Sequence, residues 1–261
     1  AYENLPWIHS RTARPMRILA EYLEPEARFE EMKIEDTIVV FGSARLLPRD
    51  DAEKGLEEAK ASGGDVAKAE RDLRMSAYYE AARELSFKLT EWAKGLEEGR
   101  QRFVICSGGG PGIMEAANRG ASEADGLNIG LNISLPFEQN DNPHITEGLS
   151  LEFHYFFMRK FWFTYMAKAI VVMPGGFGTL DEFMEVVTLV QTLKIKKALP
   201  IVLFGKEFWS KVINFETLIE FGTISPDDVD LFFQTDSVDE AVEYITTKLT
   251  EGGLPDPGPH M

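Results

Sequence analysis

MPGGFGTLDE, residues 173–182, packs small, hydroxyl and acidic residues into a pattern that can do chemistry. Gly175, Gly176 and Gly178 carry no side chains, so backbone N–H groups there can approach a ligand closely. The loop runs straight into a helical pattern, and a helix N-terminus offers free N–H groups and positive partial charge. Thr179 adds a hydroxyl donor. The combination suits a phosphate. It is not a Walker loop, because the Lys-Ser/Thr ending is missing, and it is not the Gly-x-Gly-x-x-Gly dinucleotide fingerprint. A purely structural reading stands beside the functional one. Thr179 and Glu182 have the spacing of a capping box, with Thr at the N-cap and Glu at N3. Glu182 would then lie in the first helical turn and be held ionised by the helix N-terminus.

FFMRKFWF, residues 156–163, embeds Arg159 and Lys160 among five aromatic side chains. Two cations in such a run are costly unless they reach water or an anion. Snorkelling at a helix edge or an interface meets that demand. So does a substrate phosphate or sugar gripped by the rigid fork of Arg159.

Two further loops hold small residues. SGGGPGIMEAANRG places Gly108, Gly109 and Gly110 before a helix begun by Pro111 and Gly112, where phosphate contact and tight packing are both open. In FGSAR, Gly42 and Ser43 end a short apolar run, and Arg45 either reaches a ligand or caps a helix. The four histidines, His9, His144, His154 and His260, are scattered without metal-ligand spacing. Cys106 ends the apolar run RFVIC and reads as a buried structural thiol.

These loops need a scaffold that brings them together. Apolar runs near residues 37–41, 103–107, 128–135, 169–173, 200–205 and 229–235 read as strands. Helical patterns alternate with them over 111–125, 151–168, 180–194, 206–222 and 237–250. Such alternation predicts an α/β Rossmann-like fold, a doubly wound parallel sheet with helices on both faces. In these sheets ligands sit beyond the carboxyl ends of the strands. A long helix is expected over 66–96, with Leu73, Ala77, Ala81, Leu85 and Leu89 on its buried face. Residues 1–35 read as a helical arm with a helix over 16–22 interrupted by Pro25, 36–250 as the catalytic domain, and 251–261 as a tail outside the fold. The polar stretch 50–68 reads as an exposed insertion.

The chain's 261 residues suit one α/β domain with an appended segment. With 27 basic against 43 acidic residues its net charge is −16, which argues against nucleic acid as a partner. An anionic ligand needs local donors that override this field. A single cysteine allows no intrachain disulfide. With no run of ~20 apolar residues and no signal-peptide pattern, we expect a cytoplasmic protein with no membrane partner.

Taken in order, SGGGPGIMEAANRGA, MRK and PGGFGTLDE resemble the LOG family, long labelled possible lysine decarboxylase. LPFEQN and HYFFMRKFWF are similar to its longer type, and the resemblance spans residues 36–249. It implies hydrolysis of the N-glycosidic bond of nucleoside 5′-monophosphates, cytokinin ribotides or AMP, to free base and ribose 5-phosphate. It implies Arg159 and Glu182 as catalytic residues and Gly175, Gly176, Phe177, Gly178 and Thr179 as the phosphate turn. Gly42, Ser43, Gly109, Gly110, Glu138, Met158, Lys160 and Thr188 are implied as further substrate contacts, although Glu138 and Asn140 serve equally as loop caps. No metal or organic cofactor is implied. A homodimer or higher homo-oligomer is, with the aromatic helix at 151–168 at the interface. The decarboxylase label would need pyridoxal phosphate on a Schiff-base lysine in a larger fold, and no lysine here has that setting. The rival is a nucleotide or molybdenum-cofactor carrier of the same fold that binds without turnover. The Arg159–Glu182 pair favours an enzyme.

Overall fold

Short β-branched runs form seven strands in the computed structural model, which describes residues 2–96, 101–135, 142–251 and 254–258. They are β1 (Thr37–Phe41), β2 (Val104–Ser107), β3 (Asn128–Ile133), β4 (Ser150–Phe153), β5 (Ala167–Val172), β6 (Ile201–Phe204) and β7 (Phe233–Thr235). The spatial order is β4-β3-β2-β1-β5-β6-β7, and every neighbouring pair is parallel. The chain starts the sheet at its centre, steps outward to β4, crosses back to β5 and steps outward to β7. The order therefore reverses beside β1, the place where open α/β sheets form a ligand crevice.

The helices are α1 (Leu5–Ile8), α2 (Arg14–Glu31), α3 (Arg49–Ser62), α4 (Val66–Lys94), α5 (Ile113–Glu123), α6 (Phe156–Met166), α7 (Phe177–Gln191), α8 (Lys206–Val212), α9 (Phe215–Glu220) and α10 (Val238–Thr250). Alternation along β1 explains the layering. Ile38 and Val40 point into a core shared with α4, α5 and α10, while Val39 and Phe41 point into one shared with α2, α6, α7 and α8. Both faces of the sheet are thus covered, the doubly wound arrangement that the alternation predicts.

Several local expectations need correction. The run at 151–168 is not one helix: Ser150–Phe153 forms the edge strand β4, and Ala167 and Lys168 open β5. Residues 206–222 split into α8 and α9, because the Asn214 side chain accepts the Thr217 N–H at 3.0 Å and caps a new helix. Of 229–235 only the last three residues are strand, after a 3-10 turn at Pro226–Leu231. The stretch 50–68 is largely exposed, as expected, and mostly helical: α3 packs on α4 and buries only Ala52. On α4 the buried face runs through Tyr79, Ala82, Leu85 and Leu89, leaving Ala77 exposed.

Pro25 does not interrupt the arm. α2 runs through it to Glu31, and Pro25 is buried. A helical proline removes the N–H that the carbonyl four residues back would accept. Here that carbonyl belongs to Glu21, and the Trp162 indole donates to it at 3.0 Å. Nor does the tail stand wholly outside the fold. The carbonyls of Pro255 and Asp256 accept from Arg102 (2.8 Å) and Lys168 (3.0 Å). Both cations are nearly fully buried beneath the amino ends of β2 and β5, where each needs acceptors. No helix among the described residues is long and apolar enough to cross a membrane.

Candidate active site

A cavity of about 940 Å³ opens beyond the carboxyl ends of β1, β2 and β5. The three loops there are tied together by their backbones. Ser43 donates its N–H to the Pro174 carbonyl (3.1 Å) and accepts the Ile113 N–H at its own (3.0 Å). Gly42 and Ser43 line the cavity.

The second loop is shaped by a buried polar network that the sequence reading missed. The Gly109 N–H donates to the Ser107 hydroxyl (3.0 Å), which donates to Asn118 Oδ1 (2.6 Å). The Asn118 amide donates to Asn128 Oδ1 (2.9 Å) and to the Ile129 carbonyl (3.1 Å). Gly109 has φ +70°, and a Cβ there would collide with Asn132. Gly109 and Gly110 are therefore buried behind the wall, and Gly108 and Pro111 face the cavity.

The third loop does not adopt the capping box that the spacing of Thr179 and Glu182 allows. α7 starts at Phe177 with Gly176 as N-cap and no side-chain cap. Thr179 is thus inside the first turn, and Glu182 lies a turn deeper, so the capping box does not form. Thr179 folds back over Gly175, where a Cβ would collide with its side chain. A Cβ on Gly176 or Gly178 would meet open space. The first turn of α7 has no acidic side chain, its residues line the cavity, and a helix start leaves its first amides without helical partners.

Arg159 lines the same cavity. Phe156, Arg159 and Phe163 share one face of α6 at spacings of three and four. The guanidinium lies over both rings, 5.2 and 5.5 Å from their centroids. Its Nη2 is 3.6 Å from Glu182 Oε1, and the two side chains are 13% and 9% exposed. Among the described residues the buried Nε has no hydrogen-bond partner. Burial pushes the Glu182 carboxyl up to about 7; Arg159 and Lys160 pull it down, and Glu185 and Asp181 push it up. Burial likewise lowers Arg159, with Glu182 opposing. Desolvation outweighs the pairing for both partners at this separation. Glu182 is thus not the carboxylate held ionised by a helix N-terminus that its spacing suggests. Beneath them Cys106 is a buried thiol, pushed up by burial against the pull of Arg159. Among the described residues no three His, Cys, Asp or Glu side chains form a metal-ligand set.

The family model described as possible lysine decarboxylase matches residues 114–245, half of the chain, and contains both Arg159 and Glu182. The chain belongs to this family. Solved structures with a similar fold include the molybdenum cofactor binding protein from Rippkaea orientalis, at 16% identity and TM-score 0.49, covering 83% of this chain and 96% of that one. Another is the molybdenum cofactor carrier protein from Chlamydomonas reinhardtii, at 18% identity and TM-score 0.45, covering 83% and 99%. No curated protein matches the chain.

Of the residues marked by the resemblance to this LOG-type family, the fold gathers Gly42, Ser43, Arg159, Gly176, Phe177, Gly178, Thr179 and Glu182 around one cavity. Phe177 is at its lip, 92% exposed. Gly175 supports the loop from behind, and Met158 is buried in the core. Thr188 is exposed further along α7, its hydroxyl on the Met184 carbonyl at 2.7 Å. Lys160 turns to α7 and bridges Asp181 (2.7 Å) and Glu185 (2.6 Å). Burial would lower its pKa, but those two carboxylates hold it above the ordinary value. Glu138 and Asn140 lie outside the described residues. The apolar wall of Ile133, Leu135, Met114, Phe156 and Phe163 was not singled out beforehand. Its one sequence signal was the 156/159/163 spacing. Two further aromatics of α6, Phe161 and Trp162, have partners in the arm: Tyr22 lies 5.7 Å from both, and Phe29 lies 5.5 Å from Trp162.

Proposed function

We propose that this chain hydrolyses the N-glycosidic bond of nucleoside 5′-monophosphates, AMP or a cytokinin ribotide, to the free base and ribose 5-phosphate. The observation that carries the reading is the buried Arg159–Glu182 pair, lining the same cavity as the uncapped first turn of α7. The phosphate sits on the amides of residues 176–179 and supplies binding energy remote from the bond that breaks. Arg159 holds phosphate or ribose oxygens so that the sugar faces Glu182. As the C1′–N bond breaks, its electron pair leaves with the base and positive charge develops on the ribose. The Glu182 carboxylate stabilises that charge and takes a proton from water as the water oxygen bonds to C1′. The base gains a proton from the acid so formed or from solvent. A carboxyl poised near neutrality suits this acid–base cycle.

The carrier reading uses the same cavity and glycine loop, but it leaves a buried carboxyl held against an arginine without a role. The deciding experiment is chromatographic measurement of free base from a panel of nucleoside monophosphates beside their nucleosides. We expect adenine from AMP and none from adenosine. Equal rates on both would remove the phosphate role of residues 176–179, and binding of AMP without release would leave the carrier.

The proposal includes a homodimer. Phe156 and Phe157 remain 52% and 55% exposed beside the cavity, where a second copy would cover them. Light scattering that gives a monomer at micromolar concentration would end that part of it.

A further inference from the structure

Besides the packing of Tyr22 and Phe29 on Phe161 and Trp162, the arm holds α6 through hydrogen bonds to Glu21. Glu21 on α2 accepts the backbone N–H groups of His154 (2.8 Å) and Tyr155 (3.2 Å) with its carboxylate. α6 has no side-chain cap from its own sequence at Tyr155. The Tyr155 carbonyl then accepts the N–H of Arg159 at 3.2 Å. The Glu21 carboxylate is thereby two hydrogen bonds from the Arg159 backbone. The carbonyl of the same residue takes the Trp162 indole N–H, on the far side of Arg159. Glu21 grips α6 before and after the arginine. It does so from outside the family match of residues 114–245.

We propose that Glu21 is a positioning residue for Arg159, and that the N-terminal arm is thereby part of the active-site machinery. Without the carboxylate, the two backbone N–H groups lose their acceptor, the entry to α6 shifts, and the guanidinium moves relative to Glu182 and the ligand. The inference rests on the ligand-holding role given to Arg159 above.

A double-mutant cycle tests it, with Glu21→Ala, Arg159→Ala and both together, each measured for base release from AMP and for the AMP-induced rise in melting temperature. Glu21→Ala should slow release roughly tenfold or more in the wild-type background, the scale of a misplaced catalytic group. It should change the residual rate of Arg159→Ala by less than about twofold, since no arginine is left to misplace. Glu21→Gln keeps one acceptor oxygen and should fall between wild type and Glu21→Ala; it carries the cycle if the alanine variant does not fold. Equal losses in both backgrounds, or no loss in the wild type, would overturn the proposal and leave Glu21 a stabilising contact only. If wild type releases no base, the hydrolase reading fails by itself. The melting shifts then decide Glu21 by the same non-additive pattern.

Discussion

The indole Nε1 of Trp162 donates to the Glu21 carbonyl at 3.0 Å across 141 residues of sequence, and this bond supplies the partner that Pro25 withholds. Trp162→Phe keeps most of the ring volume and removes the donor. We expect a loss of about 1–3 kcal/mol by urea unfolding, the scale of leaving a part-buried carbonyl unpaired. In a Pro25→Ala background residue 25 regains its N–H and can bond to Glu21 within the helix. The same Trp162→Phe change should then cost clearly less. Equal costs in the two backgrounds would show that the indole bond does not substitute for the missing helical one.

Glu182→Gln removes a charge and keeps the shape. Turnover should fall by roughly 10²-fold or more, the scale of a lost acid–base group. Affinity for AMP should hold, because Arg159 and the first turn of α7 bind the ligand. With no capping box to lose, stability should not drop. The sign of the pH effect follows from the raised pKa. The folded state holds the Glu182 proton up to about 7, whereas the unfolded chain releases it near the ordinary value of 4.5. Wild-type stability from this group is present below the lower value and is lost as pH rises toward the upper one. Relative to wild type, Glu182→Gln should therefore gain on the order of 1–3 kcal/mol between pH 4.5 and 8, read by unfolding at both. A variant that keeps most of its activity would refute the catalytic role.

The wild-type rate should rise with pH through about 7 as Glu182 becomes the carboxylate that takes a proton from water. Lys160 neutralises Asp181 and Glu185 on either side of it. Lys160→Met leaves those two carboxylates uncompensated and removes a cation, and both changes raise the Glu182 pKa. The rising limb should move to higher pH, with loss of rate at neutrality, recovery in base and little change in KM. A raised KM with an unmoved limb would mean that Lys160 touches the substrate itself.

Gly175 and Gly176 are adjacent and should respond differently. A methyl on Gly175 collides with Thr179, so Gly175→Ala should lower the melting temperature. A methyl on Gly176 meets open space at the cavity wall, and the backbone there is extended, at φ −94°. Gly176→Ala should melt near wild type and raise KM by crowding the phosphate. Matching thermal losses in the two variants would mean that Gly176 is there for the turn and not for the ligand.

Continuous apolar runs, helical spacing and glycine-rich breaks are local properties of the chain, and they were enough for the parallel sheet, the three loops at its carboxyl edge and the family. The run FFMRKFWF already set Arg159 among aromatics, but which rings it stacks on, Phe156 and Phe163, came with α6. What they could not give was any feature whose partner is distant. β4 hides in an aromatic run with no glycine or proline to mark its end, and it becomes a strand only because β3 offers a ladder. Pro25 reads as a break until Trp162 is placed beside Glu21. Thr179 and Glu182 fit a capping box by spacing, but α7 begins at Phe177 and takes that option away. The ionisation of Glu182 was the furthest from reach. It is set by how much water the packing of α6 against α7 leaves around one carboxyl, and desolvation depends on neighbours in space, which the order of residues along the chain does not state.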